Sequence, residues 1–528
     1  MERGSPGSPR VSRISLPTKD SIANYYPPAR FLLAPWANEA ASEEAHMRSG
    51  MDVSRMRDQK RLPNRYCCER ASMSIAAEMA RNIVETSFER FDESVVEKAR
   101  HRVIDVIGCA MGGANAPGCA MLLSLLQGWG GKKESSVLGQ RVRLPVHNAA
   151  LMNSVMARSY EFEPSGTFPD GEGTPVHVSG TTVPVALAVA EERAATGKDL
   201  LTALILGDDL ASRLGTASHL NVDSGWDSAG TINVFGAAAA AGKLWGLDEH
   251  QMCHALGIAI NQMSGTFQNT FDYAHTFKLP QGLAAQAGVF AAALARKGFT
   301  GARDPLTGRH GYFSLCCRTY RLDILTKRLG SEFLANDTLK PYPCCRSSHA
   351  AIECTLALAN GSPIAPEEID EIVVAITPAA KKFAGQPFRI GEVPQVNAAF
   401  SLQYAVASAL LRKNVRLEHF TEEYVRDPRI MDIAGKIRLI PSLPPEKSLG
   451  AVVRIKTREG KEYEKGIDVP RGMDASAPLT GAEKREKFLA NVVFSRIVSP
   501  DKAEKALSLL ERLEEIDNVA KILRLLVS

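Results

Sequence analysis

One stretch of this 528-residue chain combines residue types that could carry acid/base chemistry. Residues 160–180 read YEFEPSGTFPDGEGTPVHVSG and contain four carboxylates followed by one histidine: Glu161, Glu163, Asp170, Glu172 and His177. A histidine beside carboxylates can accept and return a proton near neutral pH, so this loop is a candidate acid/base site. The same composition is also typical of a solvated acidic loop whose histidine caps the following helix.

The segments on both sides of the loop predict the helices that would position it. Residues 149–157 and 183–194 are apolar and helical in pattern. A long loop between two apolar helices must lie at the surface or line a cavity, because its backbone polar groups need partners. Either place would bring the carboxylates and the histidine within reach of water or a ligand.

The composition is that of a globular protein built mainly from helices. The chain has 45% hydrophobic, 23% charged and only 6% aromatic residues. Its length predicts two or three domains, and its abundant alanine favours closely packed helices over β-sandwiches. The net charge of +4 is spread along the chain. This argues against a nucleic-acid partner, because such proteins carry clustered basic residues.

The cysteines and the apolar runs restrict the class of protein further. The ten cysteines include three adjacent pairs but no C-x-x-C spacing, so they predict neither a zinc site nor an iron–sulfur cluster. They predict mostly buried, reduced thiols and a cytoplasmic location. No apolar run reaches the length of a transmembrane helix, so no membrane partner is expected.

Changes in composition and in hydrophobic periodicity divide the chain into four parts. Residues 1–72 are rich in Pro, Ser, Gly and Arg and predict a disordered extension or a wrongly assigned start, with an organelle transit peptide as a third interpretation. Residues 73–340 predict a large all-helical domain. Residues 341–475 mix strand and helix patterns and predict a smaller, inserted α+β domain. Residues 476–528 are helical again and are expected to return to the first domain.

Several segments occur in the order that one known family has. They include ARHRVIDVIGCAMGGA (99–114), HVSGTTVP (177–184), KLPQGLAAQAGVFAAALARKGFTG (278–301) and KPYPCCRSSHAAIE (340–353). On these segments the sequence resembles the MmgE/PrpD family, which includes 2-methylcitrate dehydratase, cis-aconitate decarboxylase and an iminodisuccinate epimerase. The resemblance covers about residues 73–490.

The resemblance implies a fold, a partner and a type of reaction. It implies a large helical domain with a smaller inserted α+β domain, a homodimer, and no metal or organic cofactor. Family members act on small di- or tricarboxylates and make or break a bond next to a carboxylate. A small anionic carboxylate is therefore the expected substrate.

The resemblance also supplies candidate catalytic residues. Glu161 and Glu163 stand where the family has aspartates of a D-F-D-D-T-type motif, and Ser165 falls near the threonine of that motif. His177 matches the histidine of the family's H-P-S-G, which reads H-V-S-G here. Lys340 matches a family lysine.

Several positions depart from the family pattern. Lys278 lies near the family's catalytic lysine but is displaced by one residue, and His275 is an alternative for that role. Cys345 stands where the decarboxylase branch has a histidine, which counts against cis-aconitate decarboxylase activity. Asp227 replaces another histidine of many relatives.

The remaining candidates would bind the substrate. Arg346 could hold a carboxylate through both arms of its guanidinium, whereas His349 fits carboxylate binding and a capping role equally well. Tyr404 is a candidate for the wall of the cleft, with core packing as the safer interpretation. The full set of substrate-binding candidates is Ser165, Asp227, Cys345, Arg346, His349 and Tyr404.

The sequence leaves three functions open. The favoured hypothesis is a cofactor-free lyase of the 2-methylcitrate dehydratase kind, which abstracts an α-proton and eliminates a leaving group. The second is an epimerase or isomerase, which removes and returns a proton without losing water. The third is a non-catalytic paralogue that keeps the fold for binding. The joint presence of Glu161, His177 and Lys340 argues against this third hypothesis.

Overall fold

The computed structural model describes residues 74–166, 176–220, 224–335, 338–472 and 477–528. The prediction for residues 1–72 therefore lies outside the described residues. The prediction of a mainly α-helical fold is confirmed, because helices make up most of the described chain and strands only a small part of it.

Between Ile75 and Lys340 the described residues are mostly helical, as the apolar spacing predicts, with one pair of two-residue strands. Apolar faces recur every three to four residues, so each helix buries one side or is buried on all sides. In chain order the elements are α1 (Ile75–Glu85), α2 (Glu93–Gly113), α3 (Cys119–Trp129), β1 (Ser135–Ser136), β2 (Arg143–Leu144), α4 (Val146–Arg158), α5 (Ser179–Arg193), α6 (Gly197–Ala217), α7 (Ser228–Thr231), α8 (Asn233–Leu244), α9 (Glu249–Ala259), α10 (Gln268–Phe271), α11 (Leu279–Arg296), α12 (Tyr312–Cys316) and α13 (Asp323–Thr326).

Strands and helices mix after Lys340, and helices alone follow from residue 481. In chain order the elements are α14 (His349–Gly361), β3 (Ile369–Ile376), α15 (Pro378–Ala384), α16 (Pro394–Ala399), α17 (Leu402–Arg412), α18 (Glu422–Val425), α19 (Pro428–Gly435), β4 (Ile437–Pro441), β5 (Ala451–Thr457), β6 (Glu462–Ile467), α20 (Gly481–Ser495), α21 (Pro500–Leu510) and α22 (Ala520–Leu523).

The four longer strands form one sheet in the order β4-β3-β5-β6. Strand β3 pairs parallel with β4 and antiparallel with β5, so that Val374 faces Leu439 on one side and Val453 on the other. These three residues are buried, because the apolar positions of the strands share one face of the sheet. Helix α14 packs on β5 and β6.

The C-terminal helix α20 packs along α2. Phe488 lies in this contact and is 1% exposed, and Lys487 Nζ is 2.7 Å from Asp105 Oδ1 of α2. Helix α20, near the end of the chain, thus lies against the first long helix.

Helices α6 and α8 cross closely at a pair of glycines. A Cβ atom placed at Gly236 would lie 2.6 Å from the carbonyl oxygen of Gly207, and one placed at Gly207 would lie 2.7 Å from that of Gly236. Only a residue without a side chain fits this crossing. The crossing matters because Asp208 follows Gly207 and Asn233 lies one turn before Gly236, and both residues contact the start of α5.

Two further expectations concern thiols and membranes. The buried thiols of the described residues are Cys109, Cys119, Cys316, Cys344, Cys345 and Cys354. Within the described ranges, no helix has the length and apolar character needed to cross a membrane.

Replacing Gly236 with alanine is expected to lower the free energy of unfolding by about 1–3 kcal/mol, because the added methyl group would collide with the backbone of α6. Gly128 is the matched control, since a Cβ atom there would meet nothing within 4 Å. Gly128→Ala is expected to be neutral or to stabilise the protein by up to about 1 kcal/mol, because alanine favours a helix interior. Chemical denaturation of both variants makes the comparison, and equal effects would contradict the close crossing.

Candidate active site

The end of helix α4 brings Arg158 to the two glutamates of the acidic loop. Arg158 Nη1 lies 2.6 Å from Glu161 Oε2 and 2.5 Å from Glu163 Oε1. The guanidinium also lies over the ring of Phe277, 5.8 Å from its centroid. The sequence analysis missed Arg158. Its spacing of three and five residues from two carboxylates was the available signal, because glutamates that become buried need a cation.

Lys340 reaches the same cluster from the other half of the chain. Its Nζ donates hydrogen bonds of 2.8 Å to both the carboxylate Oε1 and the backbone carbonyl of Glu161. The backbone N–H of Ser165 donates to the Thr338 carbonyl at 3.1 Å, so the segment leading to Lys340 runs beside the loop. The structure therefore brings together three of the predicted catalytic residues, Glu161, Glu163 and Lys340.

The backbone of Glu161 adopts a left-handed conformation, with a φ of 52°. Such a conformation costs a residue other than glycine about 1–3 kcal/mol and persists where the surroundings hold it. The N–H of Glu161 donates to the Arg158 carbonyl at 3.0 Å, and Lys340 binds its carbonyl. The turn directs the carbonyl and the carboxylate of one residue to the same ammonium group.

His177 completes the cluster and is its most accessible member. Its Nδ1 lies 2.8 Å from Glu163 Oε1, while its Nε2 is 3.6 Å from Glu161 Oε1. Nδ1 also lies 2.9 Å from Arg158 Nη1, which can only donate. In the tautomer that carries the proton on Nδ1, the ring donates to the Glu163 carboxylate and the lone pair of Nε2 is available. The His177 side chain is 17% exposed, against 4% for Glu161 and 0% for Glu163.

Two buried polar residues fix the backbone that carries His177. Asn233 Nδ2 donates hydrogen bonds of 2.8 Å to the His177 carbonyl and to Thr181 Oγ1. Asp208 accepts a 2.8 Å hydrogen bond from the hydroxyl of Ser179, the first residue of α5. The α6–α8 crossing therefore sets the position of the histidine.

The charges of the cluster balance one another. Burial is the largest single influence and would raise the pKa of both glutamates. Arg158 together with Lys340 at Glu161, and together with His177 at Glu163, outweighs burial, so each pKa falls below its ordinary value. Burial, and then the Arg158 guanidinium, lower the pKa of His177. At neutral pH two ionised glutamates thus face two cations, and His177 is neutral.

Glu161, Glu163 and His177 are also arranged as metal ligands would be, since their donor atoms lie within 4.8 Å of one another. Arg158 Nη1 already stands among these atoms, 2.9 Å from His177 Nδ1 and in ion pairs with both carboxylates. A divalent ion would have to displace this guanidinium. The donor set therefore fits a bound arginine better than a metal.

Lys278 and His275 lie beside the cluster without joining it. Lys278 Nζ donates to the Pro117 carbonyl at 2.6 Å and to Ser159 Oγ at 3.2 Å. Burial lowers the pKa of Lys278. His275 is half-buried and packs against Gly118 at the start of α3. The predicted catalytic role of Lys278 is not supported by its contacts, which tie α11, α4 and the turn before α3 together.

Three other candidates have buried side chains close to the glutamates. Ser165 Oγ has no hydrogen-bond partner among the described residues. Asp227 Oδ1 accepts from the Ala229 N–H at 2.9 Å and so caps α7, while its charge contributes to the raised pKa of Arg158. Burial, followed by the nearby Glu161 charge, raises the pKa of the Cys345 thiol.

Of the last three candidates, Arg346 has an unpaired donor, whereas His349 and Tyr404 contact backbone carbonyls. Arg346 Nη1 is buried and without a hydrogen-bond partner among the described residues. His349 Nε2 lies 3.3 Å from the Cys344 carbonyl and is buried, as a structural histidine would be. Tyr404 is fully buried and its hydroxyl donates to the His419 carbonyl. These contacts of Tyr404 are those of core packing, the safer of the two interpretations of the sequence.

Both halves of the chain match one protein family. Residues 77–325 match the MmgE/PrpD N-terminal domain, and residues 342–515 match the MmgE/PrpD C-terminal domain. Lys340 lies in the short segment between the two matches.

Curated relatives extend over nearly the whole chain at low identity. The chain is 24% identical to the cis-aconitate decarboxylase-like protein oryM of Aspergillus oryzae, over 86% of this chain and 97% of that protein. It is 25% identical to the cis-aconitate decarboxylase of Homo sapiens, over 82% of this chain and 90% of that enzyme. The cis-aconitate decarboxylase of Aspergillus terreus is 23% identical, over 82% and 91%. Decarboxylases are lyases, so these likenesses support lyase-type enzymes as the family's class.

Lys340→Met is expected to lower the free energy of unfolding by about 3–5 kcal/mol, because it removes one partner of a buried ion pair and leaves a carboxylate without its ammonium. Lys461→Met is the matched control, since Lys461 pairs with Glu459 at 3.0 Å but is 66% exposed. An exposed pair contributes little, so this variant should unfold like the wild type. Chemical denaturation gives the free energy of unfolding of both variants. Equal losses of stability would contradict a stabilising role of the buried pair.

Proposed function

The chain belongs to the MmgE/PrpD family, and we propose that it is a lyase that eliminates water from a small di- or tricarboxylate. The reaction is proposed to proceed by α-proton abstraction without a metal or organic cofactor, as in a 2-methylcitrate dehydratase. The observation that carries the proposal is the His177–Glu163 pair. Burial lowers the pKa of His177, so the ring is neutral at neutral pH. We assign it the tautomer in which Nδ1 donates to the buried Glu163 carboxylate and the Nε2 lone pair is free.

This pair can perform both proton transfers of an elimination. His177 Nε2 takes the proton from the carbon next to the substrate carboxylate. The C–H electron pair becomes the C=C bond, the C–O bond to the neighbouring hydroxyl breaks, and the departing oxygen takes the proton back from Nε2 and leaves as water. Glu163 stabilises the transient imidazolium and fixes its orientation, so it acts as a positioning residue.

Two related reactions are less well supported by the described residues. An epimerase needs a second proton donor on the opposite face of the carbon, and the Lys278 ammonium is already engaged by Pro117 and Ser159. A decarboxylase of the relatives' kind would have a histidine at position 345. Burial raises the pKa of the Cys345 thiol, which therefore stays protonated at neutral pH and cannot act as a base in its place.

The test is a panel of hydroxylated di- and tricarboxylates with wild type, His177→Ala and His310→Ala. Alkene absorbance and solvent deuterium incorporation are followed together at equal folded protein. Elimination is expected in wild type and in His310→Ala, and a loss of about 10²-fold or more in His177→Ala. Deuterium exchange without alkene formation would indicate an epimerase and contradict the assignment as a lyase. Loss of carbon dioxide would indicate a decarboxylase, and no turnover of any acid would favour a binding protein.

The pH profile tests the role of His177 independently. Activity requires unprotonated Nε2, and the lowered pKa of His177 places the acid limb of kcat/KM below the ordinary histidine value of about 6.5. Glu163→Gln removes a carboxylate that raises the pKa of His177, so the limb should move to still lower pH while kcat falls. An acid limb above that ordinary value in the wild type would contradict a neutral buried base.

We also propose that the chain forms a homodimer, as the family resemblance implies. Helix α3 exposes three large apolar side chains, Met121, Leu125 and Trp129, and Met121 is 72% exposed. Such a patch on a single helix is typical of a covered surface. Light scattering after size exclusion should give twice the chain mass, and the mass of one chain would contradict the dimer.

A further inference from the structure

The turn that leads into helix α14 has the character of an anion site. A 3-10 turn, Arg346–Ser348, runs directly into α14, and the helix start has no side-chain cap. The 3-10 turn pairs the N–H groups of Ser348 and His349 with the carbonyls of Cys345 and Arg346, and the helix dipole places a partial positive charge at this end of α14. Two buried atoms at this turn, Arg346 Nη1 and Ser348 Oγ, have no hydrogen-bond partner among the described residues, and Ser348 is fully buried.

This turn lies within electrostatic reach of the candidate active site. The Glu161 charge acts on Arg346, and Lys340 stands six residues before it in the chain. Burial lowers the pKa of Arg346 to about 10, so the guanidinium remains charged at neutral pH. A buried charge without a counter-ion is costly, so a carboxylate placed here would be stabilised.

The other cations of the site are already engaged. Arg158 holds Glu161 and Glu163, and Lys340 holds the side chain and the carbonyl of Glu161. Lys278 donates to a carbonyl and a hydroxyl. The internal segments 167–175, 221–223, 336–337 and 473–476, which lie outside the described residues, contain no Lys, Arg or His. Arg158 Nε and Arg346 Nη1 both lack a hydrogen-bond partner among the described residues, but Arg158 is already paired with two carboxylates. Among the described cations that act on Glu161, Arg346 is therefore the one without an ion pair.

We propose that Arg346, Ser348 and the N-terminus of α14 form the subsite for a single substrate carboxylate, and that the site consequently selects dicarboxylates over tricarboxylates. The second carboxylate of a dicarboxylate lies toward the accessible side of His177, where water can solvate it. A tricarboxylate would bring a further anion against Glu161 and Glu163 with no cation left to neutralise it. This inference rests on the proposed function for the orientation of the substrate toward His177.

The test measures binding of unreactive acids, so it does not depend on turnover. Calorimetry compares succinate with propane-1,2,3-tricarboxylate and butyrate on the wild-type chain. Succinate is expected to bind at least about tenfold more tightly than the tricarboxylate, which corresponds to one unneutralised charge. Equal or tighter binding of the tricarboxylate would overturn the selectivity.

Variants locate the subsite. Arg346→Met should weaken succinate binding by about 10- to 100-fold, and Ser348→Ala by about fivefold, because one loses a charged and the other a neutral hydrogen bond. Arg346→Lys keeps the charge but loses the planar guanidinium, so its affinity for succinate should lie between those of the wild type and Arg346→Met. Arg524→Met, at an exposed arginine, is the control and should bind like the wild type.

The outcomes separate the subsite from the proposed function. Unchanged succinate binding in Arg346→Met and Ser348→Ala overturns the subsite. If Arg346→Met does not fold, Ser348→Ala and Arg346→Lys give the same decision. If succinate binding depends on Arg346 but no acid of the activity panel is turned over, the subsite is supported and the lyase proposal fails.

Discussion

The site depends on the neutralisation of two carboxylates that the fold removes from water. Glu161 and Glu163 are both buried, and an unpaired charge in such a place would cost several kcal/mol. The Arg158 guanidinium joins the two, and the Lys340 ammonium adds a second cation at Glu161. The end of α4, the start of α5 and the segment before α14 must all meet at this point for the charges to cancel. The position of His177 follows from that meeting.

Local patterns in the sequence predicted most of the fold. The alternating segments at 368–380 and 450–470 contain strands β3, β5 and β6, and the apolar segments flanking the acidic loop are helices α4 and α5. Strand β4 was not predicted. It is an edge strand of five residues that ends in a proline, so it carries too little alternation to stand out from the helical sequence before it.

Tertiary pairing explains what the sequence analysis of the site could not reach. Glu161, Glu163, His177 and Lys340 were found because their types and motifs indicated chemistry. Arg158 was missed because it looked like the last residue of a helix, and only the burial of its neighbours gives it a role. The sequence equally could not show that the hydroxyl of Tyr404 and the ammonium of Lys278 are taken up by backbone carbonyls, since those partners are distant in the chain.

The pairing of Glu161 with Lys340 spans 179 positions of the chain. The ribosome therefore delivers both glutamates and Arg158 long before it delivers the ammonium that holds the Glu161 carbonyl and carboxylate. A nascent chain that ends before residue 340 contains His177 and Glu163 but lacks the ammonium that binds the carbonyl of the left-handed residue Glu161. Lys340 lies between the two segments that match separate family domains, so neither segment contains the complete charged cluster on its own.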